Sequence, residues 1–351
     1  MIDYQEHLLS DKEDARTALR TLDRLSNSIS RTLFIISEDY KMVGSLTDGD
    51  IRRGLLNGLE ISQSVKDFMN RSFKSLIENE NNVEQIKLLK NEDLELIPLL
   101  DQTGKIQKIV DLTQTRTLLP ATALIMAGGR GERLRPFTDV TPKPMLKIGN
   151  KPIIEYNIDR LITFGISEIF ISVKYLKEQI IDYFGDGSQK GISIKYLVED
   201  EPLGTLGALS LINETLNDDI LVMNSDLLTN IDFEDFFGFY KSHNADMAVA
   251  SIPYSVNIPY AVLETSQQFV KSFIEKPTYT YYSNGGIYLF KFSLKHTIRK
   301  ETFFNATDLM DDILANNNKN LVHYPILCYW LDIGRHQDFI KAQEDIKHLN
   351  L

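Results

Sequence analysis

The feature that most constrains the fold is an apolar strand that runs directly into a glycine-rich turn. Residues 122–126 read Thr-Ala-Leu-Ile-Met, and Gly128, Gly129 and Gly131 follow closely. Glycine lets the backbone fold tightly and turn several N–H groups towards one point. An apolar strand without polar alternation is typical of a parallel sheet that is covered on both faces. The pattern therefore predicts a parallel α/β domain that begins near residue 121.

Strands and helices alternate along the rest of the chain, as they do in α/β domains. Apolar segments predict further strands at 168–173, 192–197, 219–224, 246–251, 286–290 and 321–326. Helical spacing predicts helices at 177–184, 205–216, 233–242 and 338–348. This alternation favours a doubly wound sheet, in which ligands bind at the carboxyl ends of the strands.

Basic residues around the glycine-rich turn suit a polyphosphate ligand. Arg130 and Arg133 flank the turn, and Lys143 and Lys147 follow it. Guanidinium and ammonium groups bind phosphate oxygens together with backbone amides. The segment is not a P-loop, because G-x-x-x-x-G-K-[ST] is absent. It is not a dinucleotide-binding turn either, because Leu134 stands where G-x-G-x-x-G needs its last glycine.

The composition excludes several other classes of protein. With 38 basic and 49 acidic side chains the net charge is −11, which gives the chain no general attraction for nucleic acid or anionic membranes. Cys328 is the only cysteine, so an intrachain disulfide and a cysteine metal cage are excluded. No apolar stretch approaches the roughly 20 residues of a membrane span, and the N-terminus lacks the apolar run of a signal peptide. We therefore expect a cytoplasmic protein.

A break at 115–121 divides the sequence into two parts, and the first part contains a weak internal repeat. Residues 33–50 align with residues 97–114 at an offset of 64. Each copy predicts a strand, a polar turn, a second strand and the start of a helix. We expect a first domain over 1–118 and a second domain over 121–351.

The first copy ends in the segment Thr47-Asp-Gly-Asp50-Ile-Arg, which resembles the strand-to-helix segment of a CBS domain. The resemblance implies an α+β pair of CBS domains in which Thr47 and Asp50 hold the ribose of an adenine nucleotide. It also implies a homo-oligomer formed through these domains. The second copy departs from the pattern, because Asp111 and Gln114 replace the threonine and the aspartate. The alternative is a packing or dimerisation module without a ligand.

The second part carries A-G-G-x-G-x-R-L at 127–134 and T-P-K-P at 141–144, which resemble the signature of the sugar-nucleotidyltransferase family. Members join a nucleoside triphosphate to a sugar 1-phosphate and release pyrophosphate. The resemblance implies an α/β domain with a Rossmann-like mixed sheet of the GT-A type. It also implies that Lys143 stabilises charge on the α-phosphate. The residues that it places around the triphosphate are Ala127, Gly128, Gly129, Arg130, Gly131 and Arg133.

Later motifs extend this resemblance. Glu201, Gly204 and Thr205 are implied to line the pocket for the base, although Gly-Thr is also an ordinary helix cap. Asp226 follows an apolar strand, Asp332 lies in a W-x-D-I-G motif, and the pair is implied to bind Mg²⁺. For Asp226 alone, the alternative is a cap of the next turn. The residues implied to bind the sugar and its phosphate are Glu275, Lys276, Asn284 and Gly285.

These motifs predict a magnesium-dependent transferase that works by in-line displacement. The arrangement resembles CBS-bearing guanylyltransferases that act on glucosamine 1-phosphate in legionaminic acid synthesis, and the catalytic part resembles mannose-1-phosphate guanylyltransferases. Both likenesses favour GTP, with glucosamine or mannose 1-phosphate, in activated-sugar synthesis for a surface polysaccharide or glycan. The alternatives are a uridylyl-, thymidylyl- or cytidylyltransferase of the same family, or a non-catalytic CBS protein that senses nucleotides.

Overall fold

The computed structural model describes residues 4–25, 30–78, 80, 82–92, 94–214, 216–316 and 318–349. The chain divides into two compact units. The first extends to Pro120 and includes Thr163–Gly165, and the second comprises Ala121–Ile162 and Ile166–Leu351. Among the described residues, no helix is long and apolar enough to cross a membrane.

The first unit contains two three-stranded sheets with helices beside them. Its strands are β1 (Leu8–Ser10), β2 (Thr32–Ile36), β3 (Met42–Thr47), β4 (Leu76–Ile77), β5 (Leu96–Leu100) and β6 (Ile106–Asp111). Its helices are α1 (Ala15–Arg24), α2 (Asp48–Leu56) and α3 (Val83–Lys90). The sheet orders are β1-β2-β3 and β4-β5-β6, and in each sheet the first pair is parallel and the second antiparallel.

These two sheets are copies of one motif, as the sequence repeat predicts. The bounds of β5 and β6 are those of β2 and β3 shifted by 64 residues. The register of each hairpin shifts at the equivalent place, between Ile35 and Ile36 in one and between Leu99 and Leu100 in the other. Met42 N donates to Gly104 O at 3.0 Å and joins the two copies. The repeat is therefore confirmed at the level of strand pairing.

The second copy lacks the helix whose start its sequence predicts. Helix α2 follows β3, but residues 112–120, all of them described, contain no helix. The carboxylate of Asp111 accepts hydrogen bonds from Thr113 N at 2.8 Å and from Thr113 Oγ1 at 2.6 Å. Such local bonds compete with helix formation, and Pro120 ends the segment. The predicted helix start in the second copy is wrong for this reason.

Helix α2 begins with a capping box made by the two residues that the CBS resemblance assigns to a ribose. Thr47 donates to the Asp50 carboxylate from its backbone N at 2.8 Å and from its hydroxyl at 2.7 Å. Asp50 N donates back to Thr47 Oγ1 at 3.3 Å, and Arg53 pairs with the same carboxylate. Both side chains thus stabilise the start of a helix. Their role towards a ligand stays a prediction.

The second unit is a mixed α/β structure. Its strands are β7 (Ala121–Met126), β8 (Lys147–Ile148), β9 (Lys151–Pro152), β10 (Glu168–Val173), β11 (Ser193–Val198), β12 (Asp219–Asn224), β13 (Leu227–Thr229), β14 (Met247–Asn257), β15 (Val262–Ser266), β16 (Phe269–Ile274), β17 (Thr278–Lys291), β18 (Leu321–Pro325) and β19 (Trp330–Asp332). Its helices are α4 (Ile153–Thr163), α5 (Lys177–Phe184), α6 (Phe233–Ser242), α7 (Ala306–Leu314) and α8 (His336–Asp345).

A seven-stranded sheet with the order β11-β10-β7-β12-β17-β14-β18 forms the centre of this unit. Strands β11, β10, β7 and β12 are parallel, whereas β17 runs antiparallel to both β12 and β14. The prediction of a mixed α/β sheet is confirmed, and most predicted strands and helices lie within a residue or two of their observed bounds. Strands β14 and β17 are longer than predicted, because they continue as a two-stranded ribbon beyond the sheet.

The predicted helix over 205–216 is wrong, since only a short 3₁₀ turn at Gly207–Leu211 forms there. The N–H groups of Leu206 and Gly207 donate to Phe304 O at 2.9 and 3.1 Å rather than to the preceding turn. Gly204, with φ +77°, sets the direction of the chain. A distant segment of the chain therefore accepts the backbone hydrogen bonds that would otherwise form within a local helix.

Candidate active site

Strands β7 and β12 bring the glycine-rich turn and Asp226 to one edge of the sheet. The two strands are parallel, with Met126 opposite Asn224, so the residues that follow them lie side by side. Two neighbouring cavities of about 390 Å³ and 840 Å³ open at this edge, and Met126 and Gly129 line both. The carboxyl ends of the parallel strands thus form the candidate site, as expected for an α/β sheet.

The smaller cavity collects residues from three separate motifs of the sequence. The predicted residues that line it are Gly129, Gly131, Arg133, Lys143 and Asp226. Glu132, Pro144, Asn224 and Ser225 complete its wall. Lys147, the fourth basic residue near the turn, is exposed and lines neither cavity. Ala127 is buried and lines neither cavity, and its N–H donates a hydrogen bond to Ser172 O at 2.9 Å.

Lys143 lies between two aspartates, of which Asp226 lines this cavity and Asp332 lies outside it. Its ammonium group contacts the Asp226 carboxylate directly and is 3.7 Å from Oδ1 of Asp332. Strands β13 and β19 pair antiparallel with Leu227 opposite Asp332, and Ile333 N donates to Asp226 O at 3.1 Å. This pairing sets the two carboxylates side by side, and the lysine offsets the repulsion between them.

The close approach of Lys143 to the turn requires a glycine at residue 131. Gly131 has φ +64°, in the left-handed region, and a Cβ there would lie 2.9 Å from Cβ of Lys143. It would also lie 3.1 Å from Cγ2 of Thr138, whose hydroxyl donates to Gly131 O at 2.9 Å. Both the backbone conformation and the available space therefore exclude a side chain.

The pair of aspartates fits a magnesium ion. Burial raises the pKa of Asp332, and the Asp226 carboxylate raises it further, while Lys143 and Arg133 act in the opposite direction. Oδ1 of Asp332 is buried without a hydrogen-bond partner, which leaves an oxygen for a cation. Among the described residues, no three His, Cys, Asp or Glu side chains form a metal cluster. Mg²⁺ commonly takes one or two carboxylates and completes its shell with phosphate oxygens and water.

The larger cavity also contains predicted residues. Those lining it are Gly128, Gly129, Arg130, Glu201, Gly204 and Thr205. The Arg130 guanidinium lies 5.6 Å from the centre of the Tyr175 ring, a cation–π contact that orients it along the cavity wall. Tyr175 is held in turn by its hydroxyl, which donates to Thr138 O at 3.0 Å.

A buried carboxylate that the motifs do not predict lies in this cavity. Glu199 follows β11 directly and is only 8% exposed. Its carboxylate accepts from Leu203 N at 2.9 Å and from the Ser172 hydroxyl. A Cβ on Gly128 would come within 3.1 Å of Glu199 Oε1, so this glycine keeps the space beside the carboxylate open. Glu199 could have been found from its place at the end of a predicted strand.

The segment that carries Gly204 and Thr205 is fixed by residues about one hundred positions later. Phe304 N donates to Leu203 O at 2.9 Å, and Ala306 N donates to Thr205 Oγ1 at 2.6 Å. Thr205 therefore caps the first turn of α7 rather than a helix of its own. Phe303, which lies in this later segment, lines the larger cavity although it is 60% exposed. No motif in the sequence signalled Phe303.

None of the four residues assigned to the sugar and its phosphate lines either cavity. Gly285 O accepts from Trp330 Nε1 at 2.9 Å, and Asn284 Oδ1 accepts from Gly286 N at 2.9 Å, beside the strand that bears Asn224. Glu275 and Lys276 are exposed and lie in the bend between β16 and β17. Their predicted contact with the sugar phosphate stays a prediction.

Comparison with known proteins identifies the family. A family model described as nucleotidyl transferase matches residues 122–348, which is more than half of the chain. The chain belongs to the nucleotidyl transferase family. A putative glucose-1-phosphate thymidylyltransferase from Bacillus anthracis shares the fold, with a TM-score of 0.53 and 24% identity over 66% of this chain and 97% of that one. HddC from Yersinia pseudotuberculosis gives a TM-score of 0.50 and 26% identity over 64% of this chain and 99% of that one.

Relatives by sequence include several guanylyltransferases. Mannose-1-phosphate guanyltransferase of Schizosaccharomyces pombe is 31% identical over 227 residues, which is 62% of this chain and 62% of the relative. D-glycero-alpha-D-manno-heptose 1-phosphate guanylyltransferase of Aneurinibacillus thermoaerophilus is 33% identical over 230 residues, which is 64% of this chain and 98% of the relative. The chain thus spans less than two thirds of the length of the mannose-1-phosphate enzymes that it matches.

We predict opposite effects of two glycine-to-alanine substitutions on stability. Gly131→Ala forces a side chain into a left-handed conformation and against Lys143, and should lower the free energy of unfolding by about 1–2 kcal/mol. Gly238→Ala, within α6 and with no atom within 4 Å of the new Cβ, should raise it by up to about 1 kcal/mol. Thermal unfolding of both variants measures this. Equal shifts would contradict the role given to Gly131.

Proposed function

We propose that this chain is a sugar-1-phosphate nucleotidyltransferase that uses GTP. The observation that carries the proposal is the placement of Lys143 between Asp226 and Asp332, in a cavity walled by the glycine-rich turn. A chain of net charge −11 can hold a triphosphate only where cations are concentrated, and Arg130, Arg133 and Lys143 supply them there. The heptose 1-phosphate guanylyltransferase, covered over 98% of its length, supports the same reaction class.

The chemistry is a direct in-line displacement. An oxygen of the sugar 1-phosphate attacks the α-phosphorus of the nucleotide, a new P–O bond forms, and the bond to pyrophosphate breaks. The protein needs no covalent intermediate, so positioning and charge neutralisation carry the catalysis. Lys143 offsets the charge that develops on the α-phosphate, and Arg130 and Arg133 offset the charge of the leaving pyrophosphate.

Asp226 and Asp332 would hold the magnesium ion. When bound, Mg²⁺ neutralises phosphate charge and orients the phosphate oxygens. The oxygen of Asp332 that lacks a hydrogen-bond partner supports this assignment. Arg133 lies 3.5 Å from the position of a Cβ on Gly334, two residues beyond Asp332, and so adds positive charge beside the pair.

Glu199 favours guanine in the larger cavity. Guanine presents two adjacent donors, N1–H and N2–H, on one edge, and a carboxylate can accept both. Uracil and thymine offer one N–H donor that lies between two carbonyl oxygens. An anionic carboxylate repels these oxygens. Glu199 is already held in place by Leu203 N and the Ser172 hydroxyl, so its orientation is fixed before the base enters. The names of the sequence relatives favour GTP as well.

The sugar 1-phosphate enters from the side of Asn284 and Gly285. Gly286 has φ +72°, and a Cβ there would be 2.6 Å from Nδ2 of Asn224, which shows how closely this strand approaches the smaller cavity. Amide and carbonyl groups at this place suit sugar hydroxyls. Glucosamine and mannose 1-phosphate are the candidate substrates, with Glu275 and Lys276 as their further contacts.

The first unit serves as a regulatory pair of CBS domains. The support is its two-fold repeated strand pattern together with the Thr47–Asp50 segment. An adenine nucleotide bound at Thr47 and Asp50 would change how tightly the catalytic unit binds its own ligands, because the two binding sites would be coupled in free energy. The alternative, a module that only packs or dimerises, is supported by the capping box that already occupies both side chains.

The reaction is tested by pyrophosphate release from GTP, UTP, CTP, dTTP and ATP, each with several sugar 1-phosphates and Mg²⁺. Lys143→Ala should lower the rate by about 10²- to 10³-fold, because a preorganised positive charge at the α-phosphate is lost. Lys147→Ala is the matched control, since this lysine is exposed and lines neither cavity. A Lys143→Ala enzyme with the turnover of the control would refute the assignment.

Base selection is tested by Glu199→Gln. The amide keeps one acceptor but loses the second and the charge, so kcat/KM for GTP should fall by roughly 10- to 100-fold relative to UTP. Glu178→Gln on α5, at an exposed position, should leave the ratio unchanged. An equal loss for every nucleotide would count against guanine recognition by Glu199.

The regulatory proposal is tested by titration with AMP, which lacks the polyphosphate that the catalytic cavity binds. AMP should raise the midpoint of thermal unfolding of the wild-type chain, because a ligand that binds only the folded state stabilises it. Asp50→Ala should abolish this increase. If AMP leaves the wild-type midpoint unchanged, the first unit is a packing module.

A further inference from the structure

The turn between β12 and β13 carries Asp226. Strand β12 ends at Asn224 and β13 begins at Leu227, so Ser225 and Asp226 alone form the turn. Strand β12 belongs to the central sheet, whereas β13 pairs with β19 in a separate two-stranded sheet. Because the Asp226 carboxylate extends from this turn, the position of the turn decides where the carboxylate lies relative to Lys143.

Three hydrogen bonds hold the backbone of this turn. Ser225 N donates to Met126 O at 3.2 Å, and Ile333 N donates to Asp226 O at 3.1 Å. The side-chain amide of Asn157 donates from Nδ2 to Ser225 O at 3.2 Å. The first two bonds join backbone to backbone, so they do not require a particular side chain. Of the three, only the bond from Asn157 depends on the identity of the residue.

Asn157 lies on a buried apolar face of α4. It is 1% exposed, and Ile154 and Leu161, three residues before it and four after it on the same helix face, are fully buried. A buried amide has lost its hydrogen bonds to water and needs a partner inside the protein. Ser225 is also buried, so its carbonyl has the same need. The bond between them satisfies both groups and explains an asparagine at an otherwise apolar position.

Contacts that do not involve the turn fix helix α4. The Glu155 carboxylate accepts from Lys190 Nζ and from the Tyr183 hydroxyl, both at 2.7 Å. Lys190 also donates to Asp159 at 2.7 Å. These bonds attach α4 to α5 and to the segment after α5, on both sides of residue 157. A side chain positions another group well when its own element is held in place.

From these observations we propose that Asn157 is a positioning residue, which holds the turn of Ser225 and Asp226 at the place that phosphoryl transfer needs beside Lys143. The inference rests on the proposed function and adds a residue that no motif contains. Asn157 lines neither cavity and acts through Asp226. Without its amide, Ser225 O loses a donor in a buried place, and the turn shifts together with the carboxylate. A misplacement of about 1 Å can lower a rate by roughly 10²-fold.

The first test follows the chemical modification of Lys143 without nucleotide or metal. Asn157→Leu removes the donor and keeps a similar size. The Lys143 side chain is only 13% exposed and is paired with Asp226, so an acetylating reagent should modify it slowly in the wild-type chain. In the variant the rate should rise by about 10-fold, as expected when one contact of a charged group is lost. Peptide mass spectrometry measures the rate at each lysine.

Lys190 is the internal control for this modification. It pairs with Glu155 and Asp159 of the same helix, so a general loosening of α4 would raise its rate of acetylation as well. In the proposed role the rate at Lys190 stays at its wild-type value. Asn157→Ala removes the same donor without adding apolar volume and should give the same pattern.

The second test separates kcat from KM in pyrophosphate release. Asn157→Leu should lower kcat by about 10- to 100-fold and leave KM for GTP nearly unchanged, because the wall of the larger cavity is not altered. Ile158→Val is the matched control, since it removes one methyl group from the next residue of α4, which is fully buried. It should lower the midpoint of thermal unfolding but leave both kcat and the acetylation of Lys143 unchanged.

The outcomes distinguish this role from a purely structural one. Wild-type acetylation of Lys143 in both Asn157 variants would overturn the proposal. A parallel increase at Lys190 would also overturn it, because Asn157 would then serve only the packing of α4. A wild-type kcat in the Asn157 variants would have the same consequence. If the wild-type chain releases no pyrophosphate from any nucleotide, the proposed function fails, and the acetylation rates still decide whether Asn157 positions the turn.

Discussion

The ammonium group of Lys143 connects segments that lie far apart in the sequence. It contacts Asp226, 83 residues later, and comes within 3.7 Å of Asp332, near the C-terminus. Two carboxylates set side by side by the pairing of β13 with β19 would repel each other without a cation between them. Gly131 makes room for the lysine, because any Cβ there would collide with it. The position of the glycine-rich turn and the position of the acidic pair therefore depend on each other, because both must leave room for Lys143 between them.

The wall of the larger cavity depends on an exchange of hydrogen bonds between residues 203–207 and 304–306. Backbone groups of Leu203, Leu206 and Gly207 are satisfied by Phe304, and Thr205 caps the first turn of α7. This exchange replaces the helix that the apolar spacing of 205–216 predicts. Backbone groups that would have formed hydrogen bonds within a helix instead hold the segment that faces the cavity. The local preference for a helix is therefore overridden by a tertiary contact.

The sequence predicted the parts of the molecule that depend on local pattern. Strands at 168–173 and 219–224 and helices at 177–184 and 233–242 have the bounds that periodicity indicated, because each buries one continuous apolar surface. The repeat at an offset of 64 residues in the first unit could be predicted for the same reason, because its strands are also apolar segments. The absence of a helix after β6 could not be predicted in this way, because the Asp111 carboxylate accepts hydrogen bonds from Thr113 that compete with helix formation.

By itself, the sequence determined which residues can form the candidate site: a glycine turn that no side chain can replace, basic residues around it, and aspartates in two later motifs. These properties belong to single residues and their neighbours. Only the tertiary structure decided which of them meet. It brought Lys143, Asp226 and Asp332 together, left Lys147 and the four residues assigned to the sugar outside both cavities, and added Glu199 and Phe303, which no motif contained. The reason is that the register of β7 with β12 and of β13 with β19, which fixes these distances, is set by packing across the whole sheet rather than by any one segment.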